Sequence, residues 1–186
     1  MSTIISSKDE RDFLSNFNKD PIVHKSAFIA TNSNVIGNVE IGEHSSVWFN
    51  CLLRGDGNYI RVGKRTNIQD GSIVHIDSKK FPTHIGDDVT IGHGCIIHAA
   101  TIRSLTLIGM GAIVLDGSEI SSNVIVGAGS LVPPGVLLES GFLYMGSPCK
   151  KVRALNENDY KMIIETSKDY VDHSKVYKKK YGLRSS

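Results

Sequence analysis

The sequence predicts an all-β fold, a parallel β-helix of hexapeptide repeats, followed by one α-helix near the C-terminus. Three observations support this prediction. Aliphatic residues recur at every sixth position, glycine often follows the aliphatic residue, and helical spacing replaces the repeat from Asn156 onward. A period of six matches neither the 3.6-residue period of a helix nor the simple alternation of an ordinary strand.

The aliphatic residues form five series, and within each series every step is six residues. They are Ile29, Val35, Ile41, Val47 and Leu53; Val62, Ile68 and Val74; Ile85, Ile91 and Ile97; Ile108 and Val114; and Ile120, Val126 and Val132. In a parallel β-helix each repeat is one flat side of a coil and buries its apolar edge only when another coil stacks on it. We therefore expect triangular coils with aliphatic ladders inside, and glycines at corners, where a residue without Cβ can adopt positive φ.

Two loops interrupt the period, one between Leu53 and Val62 and one between Val74 and Ile85. Insertions in solenoids leave as loops on one side, commonly the working side. The pattern divides the chain into an N-terminal extension (residues 1–21), a β-helix domain (22–153) and a C-terminal helix with its tail (154–186).

The C-terminal segment is predicted to be an α-helix over residues 156 to 180, with Asn156 as its N-cap. One face of this helix contains Ile163, Ser167, Tyr170, Ser174 and Tyr177. We expect this face to pack on the solenoid or on a neighbouring subunit.

Composition excludes several classes of function. The formal net charge of +2 is too small to indicate a nucleic-acid partner. No apolar run approaches the roughly 18 residues of a membrane span, and the N-terminus lacks the pattern of a signal peptide, so we expect a cytoplasmic protein without a membrane partner. The three cysteines lack CxxC spacing and indicate neither a disulfide framework nor a thiolate zinc site.

Two of the histidines are predicted to stack. His75 and His98 each follow an inward aliphatic residue by one position, which places them on the same side of consecutive coils, about 4.8 Å apart. Two imidazoles at that separation can share one metal ion. Zinc needs a third protein ligand and, in a catalytic site, keeps a fourth position open for water.

His93 is the candidate third ligand, but it is out of phase with the other two. It lies five residues before His98 and around a corner, so we expect it to be too far away to reach the same ion within one chain. In a threefold assembly, His93 of one subunit could face the His75 and His98 pair of the next. The alternative is that the stacked histidines only form hydrogen bonds across an interface.

Three sequence motifs resemble those of the γ-class carbonic anhydrase family, whose bacterial relatives are also labelled hexapeptide transferases or ferripyochelin-binding proteins. The motifs are LRGD at 53–56, NIQDGSIVH at 67–75 and IGHGCIIH at 91–98. The resemblance covers residues 20–153. The general acyltransferase solenoids do not share this order of motifs.

The resemblance implies a left-handed β-helix that forms a homotrimer with a metal ion between subunits. The ligands would be His75 and His98 of one subunit and His93 of another, and the metal would be zinc, with iron or cobalt also compatible. At the other family positions, Arg54 and Asp56 match an intersubunit ion pair, Asn67 and Gln69 match two polar side chains beside the metal-bound water, and Tyr144 matches a site-lining tyrosine. Arg54 and Asp56 could equally be a plain surface pair, and Asn67 and Asp70 are also good turn residues.

In the enzymes of this family, the metal lowers the pKa of its bound water, and the resulting hydroxide attacks carbon dioxide to give bicarbonate. The sequence departs from the archetypal enzyme at two glutamates. Gly57 follows the RxD aspartate, and the loop after His75 offers only Asp77 and Ser78. Because fast hydration needs a group that passes the proton to buffer, weak or absent activity is compatible with an intact metal site.

Three other functions remain open on the sequence. A metal-bound hydroxide can equally attack a thioester, which would make the protein a metal-dependent thioesterase or other hydrolase. Hexapeptide solenoids also include coenzyme-A-dependent acyltransferases, although a fold does not determine a function. The last alternative is a non-catalytic trimeric scaffold in which the metal joins the subunits.

Overall fold

The computed structural model describes residues 8–181, and the chain there is a parallel β-solenoid of about seven turns with a long C-terminal helix. The predicted fold class is therefore confirmed. The ends of the predicted N-terminal extension and of the C-terminal tail, residues 1–7 and 182–186, lie outside the described residues.

The described residues contain two helices and nineteen mostly short strands, joined by turns. In chain order they are α1 (Lys8–Phe17), β1 (Ile22–Val23), β2 (Phe28–Ile29), β3 (Asn34–Ile41), β4 (Ser46–Val47), β5 (Leu52–Val62), β6 (Asn67–Ile68), β7 (Ile73–His75), β8 (Thr83–Ile85), β9 (Thr90–Ile91), β10 (Ile96–His98), β11 (Thr101–Ile102), β12 (Leu107–Ile108), β13 (Ile113–Val114), β14 (Glu119–Ile120), β15 (Ile125–Val126), β16 (Leu131–Val132), β17 (Leu137–Leu138), β18 (Phe142–Gly146), β19 (Cys149–Ala154) and α2 (Glu157–Tyr181).

The strands stack in parallel on three faces of a prism. The helix face contains β2, β4, β6, β9, β12, β15 and β18, with β19 antiparallel to β18 at its end. The histidine face contains β7, β10, β13 and β16, and the groove face contains β8, β11, β14 and β17. The long strands β3 and β5 cross from the histidine face to the groove face, since β5 pairs with β7 near its start and with β8 near its end.

The predicted aliphatic ladders form the core of the prism. On the histidine face, Leu53, Val74, Ile97 and Val114 pair in register, and each has an exposed fraction of 0%. Burying one such side chain contributes about 1.5–3 kcal/mol, and stacking repeats this gain in every coil. The step of six is therefore explained by one buried side chain per face.

The glycines that follow the aliphatic residues do not have the role predicted for them. Gly92 is absent from the positive-φ residues of residues 8–181, and a Cβ atom there would lie 2.7 Å from the backbone nitrogen of Met110 in the next coil. Positive φ occurs instead at Gly94, where φ is +67° and a Cβ would meet open space. Close stacking of coils requires the first glycine, and the turn geometry favours the second.

Helix α2 packs along the helix face of its own chain, as one of the two predicted arrangements requires. Asn156 caps it, because its Oδ1 accepts hydrogen bonds from the backbone nitrogens of Asn158 (2.9 Å) and Asp159 (3.1 Å). Ile163 and Ser167 are buried, and the Ser167 hydroxyl donates to the carbonyl oxygen of Arg65 at 2.7 Å. Within residues 8–181, no helix is long and apolar enough to cross a membrane.

Trp48 anchors α2 through an aromatic cluster. Its ring centroid lies 4.9 Å from that of Tyr177, 5.3 Å from that of Tyr170 and 5.2 Å from that of Phe28.

Helix α1, near the other end of the chain, was not predicted, because it lies outside the repeat. It contacts β5 and positions Asn16, whose Nδ2 donates to the carbonyl oxygen of Gly57 at 3.3 Å.

Candidate metal centre

His75 and His98 stack on the outside of the histidine face, as their register predicted. Strands β7 and β10 pair so that His98 is the direct partner of His75. The side chains point outward because the preceding residues, Val74 and Ile97, point into the core and successive side chains of a strand alternate. His75 Nδ1 lies 3.2 Å from His98 Nε2.

A carboxylate occupies the other ring nitrogen of each histidine. Asp56 Oδ1 lies 3.1 Å from His75 Nε2, and Asp116 Oδ1 pairs with His98 Nδ1. An ionised carboxylate can only accept hydrogen bonds, so each of these nitrogens donates to its carboxylate, and in a neutral ring the remaining nitrogen carries the lone pair.

His75 Nδ1 and His98 Nε2 lie within hydrogen-bonding distance of each other, so either one ring hydrogen between them or a metal ion bound to both would satisfy the pair. Burial lowers the pKa of His75, which the hydrogen bond with Asp56 only partly opposes, so the neutral ring is favoured over a protonated one. Two nitrogen ligands at 2.0–2.1 Å from a tetrahedral ion are about 3.3 Å apart. The 3.2 Å separation between His75 Nδ1 and His98 Nε2 therefore fits two ligands of one divalent metal ion.

His93 lies at the corner between the helix face and the histidine face, after β9 and before β10. Its Nδ1 is 3.1 Å from Asp70 Oδ2, and 46% of its side chain is exposed. Within residues 8–181, the histidine, cysteine and acidic side chains form no group of three that could hold a metal ion. The fold thus brings together two of the three predicted ligands and places the third on an exposed corner.

The predicted ion pair of Arg54 and Asp56 forms within the chain. An Arg54 guanidinium nitrogen donates to Asp56 Oδ2, while Asp56 Oδ1 faces His75. Burial raises the pKa of Asp56, but hydrogen bonds from Arg54 and His75 outweigh it, so the pKa of this carboxyl lies below its ordinary value. Asp56 is therefore an ionised partner of His75 at neutral pH. An ion pair between subunits stays a prediction.

Asn67 and Gln69 lie on the helix face, on either side of the inward residue Ile68. Gln69 Nε2 donates to Asn67 Oδ1 at 3.0 Å, and Asn67 Nδ2 donates to Thr90 Oγ1 at 2.9 Å. Both residues are buried. This pair precedes the corner of Asp70, which contacts His93, so its predicted role beside a metal-bound water concerns the side of the site that His93 provides.

Tyr144 occupies the inward position of the last coil on the helix face. It pairs in register with Val126, belongs to the buried core, and its hydroxyl accepts a hydrogen bond from the backbone nitrogen of Glu139 at 2.9 Å. Its predicted place in the lining of the site stays a prediction.

The loop after His75 closes against Gly57, one of the two positions where the archetypal enzyme has a glutamate. A Cβ atom at Gly57 would lie 2.5 Å from Ser78 Cβ, so this loop leaves no room for a longer side chain there. Asp77 Oδ1 accepts hydrogen bonds from the backbone nitrogens of Lys79 (3.0 Å) and Lys80 (2.6 Å). These bonds, with that of Lys80 the largest, lower the pKa of Asp77, which makes the carboxylate a weaker proton acceptor.

Two carboxylates of the site escaped sequence reasoning, although the register contained a signal for both. The sequence indicates Asp70 only as a turn residue and assigns no role to Asp116. Asp70 and His93 each follow an inward isoleucine by two positions, and those isoleucines pair in register. The same argument would have placed Asp116 at the corner one coil beyond His98.

The outer side of the histidine face also carries an apolar ladder, which the period of the inward residues does not reveal. We call it the outer ladder; it consists of Leu52, Ile73, Ile96, Ile113 and Leu131, which pair in register. Ile73 is 40% exposed and Ile96 is 38% exposed. Each lies two residues before a stacked histidine and therefore on the same side of its strand.

Comparison with known proteins gives close relatives, although no family profile matches the chain. The chain is 41% identical to gamma carbonic anhydrase 2, mitochondrial, of Arabidopsis thaliana over 90% of its own length and 62% of that protein. It is 44% identical to a carbonic anhydrase of Geobacillus kaustophilus, over 90% of the chain and 92% of that protein. A crystal structure of a putative acetyltransferase from Bacillus cereus has 40% identity and a TM-score of 0.85, over 87% of the chain and 94% of that structure.

Proposed function

We propose that this chain, which belongs to the γ-class carbonic anhydrase family, catalyses the reversible hydration of carbon dioxide at a metal site shared between subunits. The observation that supports the proposal is the pair of facing ring nitrogens of His75 and His98, 3.2 Å apart and each backed by a carboxylate. Carboxylate–histidine–metal arrangements of this kind fix the ring orientation and increase the basicity of the ligand.

His75 and His98 would hold the metal from one subunit and His93 from the next. A divalent metal bound by three imidazoles lowers the pKa of a coordinated water toward 7, which supplies hydroxide to attack carbon dioxide. We propose zinc as the metal, with iron or cobalt as alternatives, because three imidazoles and water accept each of them. Asn67 and Gln69 would orient water and substrate around the His93 side of the site.

Two observations support the proposal of a homotrimer: the incomplete ligand set and the outer ladder. The two half-exposed isoleucines, Ile73 and Ile96, lie beside the stacked histidines, and contiguous exposed apolar surface is typical of protein interfaces. A second prism that covered the outer ladder would approach the histidines at the same time. With His93 on a neighbouring corner of each prism, a closed ring of three subunits would contain three equivalent sites.

We expect hydration to be slower than in the archetypal enzyme. Gly57 has no side chain to accept a proton, and the Asp77 carboxylate binds the backbone of its own loop. Proton transfer to buffer would then limit the rate, and small imidazole buffers added in solution should increase it. The cytoplasmic location expected from the sequence stays a prediction.

The decisive experiment combines metal analysis with an activity assay on the same preparation. We expect about one metal ion per subunit, and stopped-flow hydration of carbon dioxide that is lost with a chelator and restored by zinc. Chelator-sensitive cleavage of a thioester without hydration would favour the hydrolase, and metal-independent transfer from acetyl-CoA the acyltransferase. A metal-loaded trimer without any of these activities would be a scaffold.

A further inference from the structure

We propose that Asp116 is a positioning residue that fixes the tautomer of His98 for metal binding, an inference that rests on the proposed metal site. Asp116 lies in the corner after β13, one coil beyond His98. Its carboxylate Oδ1 accepts a hydrogen bond from His98 Nδ1.

The proposal follows from the hydrogen count of a neutral imidazole. The ring has one N–H, and a carboxylate can only accept it. With the hydrogen on Nδ1, the lone pair of His98 is on Nε2, which points at His75 Nδ1 from 3.2 Å. In the other tautomer, the hydrogen on Nε2 would occupy the direction in which a metal must bind, and Nδ1 and the carboxylate would present two acceptors to each other.

The corner that carries Asp116 is held independently of His98. The backbone nitrogen of Gly135 donates to the carbonyl oxygen of Asp116 at 2.8 Å, and that of Gly117 donates to the carbonyl oxygen of Ala99 at 2.7 Å. The Phe81 ring packs on Gly117, where a Cβ atom would lie 2.8 Å from it. Asp116 is therefore presented by backbone that is fixed between two coils and one loop.

Asp116 accepts a hydrogen bond from His98 and Asp56 accepts one from His75, but the two carboxylates have different surroundings. Asp56 is 7% exposed and is also bound by Arg54, whereas 43% of the Asp116 side chain is exposed. Substitution of Asp116 therefore leaves no buried charge without a partner. Its effect can be assigned to the hydrogen bond with His98 and not to loss of the fold.

The test compares Asp116→Asn with the wild-type protein in two measurements. In metal-free protein, ¹⁵N NMR of the histidine ring nitrogens, assigned with His98→Asn, should show the Nδ1–H tautomer of His98 in the wild type. In Asp116→Asn it should show the Nε2–H tautomer, because the amide nitrogen can donate to Nδ1 while Nε2–H donates to His75 Nδ1, 3.2 Å away. Zinc affinity, measured by competition with a chelating dye, should fall about 10–100-fold, as is typical for loss of such a partner. Asp116→Glu should restore the Nδ1–H tautomer.

Asp77→Asn is the matched control. It removes one negative charge that lies close enough to His98 to interact with it, but the Asp77 carboxylate binds backbone nitrogens and not a histidine ring. We expect an unchanged tautomer and a smaller change in zinc affinity than in Asp116→Asn. An unchanged tautomer and zinc affinity in Asp116→Asn would overturn the proposal. If the wild-type protein binds zinc and shows the expected tautomers but does not hydrate carbon dioxide, only the proposed function is contradicted.

Discussion

The helix face and the histidine face of the prism share the same interior but differ in what covers them. On the helix face, α2 of the same chain places Tyr170 and Tyr177 against Trp48, which is only 5% exposed. On the histidine face, Ile73 and Ile96 of the outer ladder remain about two-fifths exposed. Both faces present apolar side chains outward, but only the first has its cover within the described chain.

This difference indicates which part of the molecule is complete in one chain. The helix face is a finished packing arrangement, with a capped helix and a buried aromatic cluster. Within residues 8–181, the histidine face has two candidate metal ligands without a third and an apolar ladder without a cover. Both features lie on one surface, so a single second subunit could supply the third ligand and cover the ladder.

The largest expected effect comes from removing His93, the proposed third ligand, which lies on the corner. His93→Ala should reduce bound metal from about one ion per subunit to background and abolish hydration, because two imidazoles alone bind zinc weakly. Far-ultraviolet circular dichroism should be unchanged. His173→Ala, which removes an exposed histidine from α2, is the control and should retain metal.

Mixed trimers test whether the ligands come from two chains. His93→Ala and His98→Ala should each bind no metal alone. When the two are dissociated and reassembled together, each mixed trimer should regain one site, between an intact His93 and an intact stacked pair. Failure to regain any metal would show that the three ligands do not meet across an interface.

A charge in the outer ladder should dissociate the subunits. Ile96→Glu would bury a carboxylate without a partner at the proposed interface, at a cost of several kcal/mol, which is a weakening of about 100-fold or more. Sedimentation should then show monomers at micromolar concentration. Leu137→Glu, at a 60% exposed position on the groove face, should leave the trimer intact. Equal behaviour of the two variants would argue against the outer ladder as the interface.

On the helix face, Trp48→Ala should destabilise the chain without changing its assembly. Loss of a buried tryptophan costs about 3–5 kcal/mol, measurable by urea unfolding, and α2 should become sensitive to limited proteolysis. Trp48→Phe should recover part of the stability by restoring ring contacts. If Trp48→Ala dissociated the trimer, the two faces would not be independent.

The smallest expected effect is the pH dependence of the start of α2. A hydrogen bond from Arg153 and one from the backbone of Asn156 lower the pKa of Asp159 to about 2. Because this folded-state pKa is below the unfolded value of about 3.9, the stabilisation is present above pH 4 and is lost as the pH falls toward 2. Thermal unfolding followed at 222 nm should show this loss in the wild type and much less of it in Asp159→Asn.

Sequence reasoning predicted the regular parts of the molecule and missed the parts that depend on a neighbouring coil. The aliphatic ladders, the stacking of His75 on His98 and the capped helix α2 all follow from local period or spacing. The pairing of Asp116 with His98 was missed, since the two residues are 18 positions apart and meet only through the stacking of coils. The same holds for the contact of Phe81 with Gly117.

The sequence by itself determined the solenoid, because one buried side chain on each face of each coil imposes the six-residue period that is typical of parallel β-helices. It also determined that two imidazoles stack, since register follows directly from that period. Only the tertiary structure decided which ring nitrogens face each other, which carboxylates hold them and which face of the prism remains uncovered. Those features depend on side-chain directions and loop shapes, which are set by packing between residues distant in the chain.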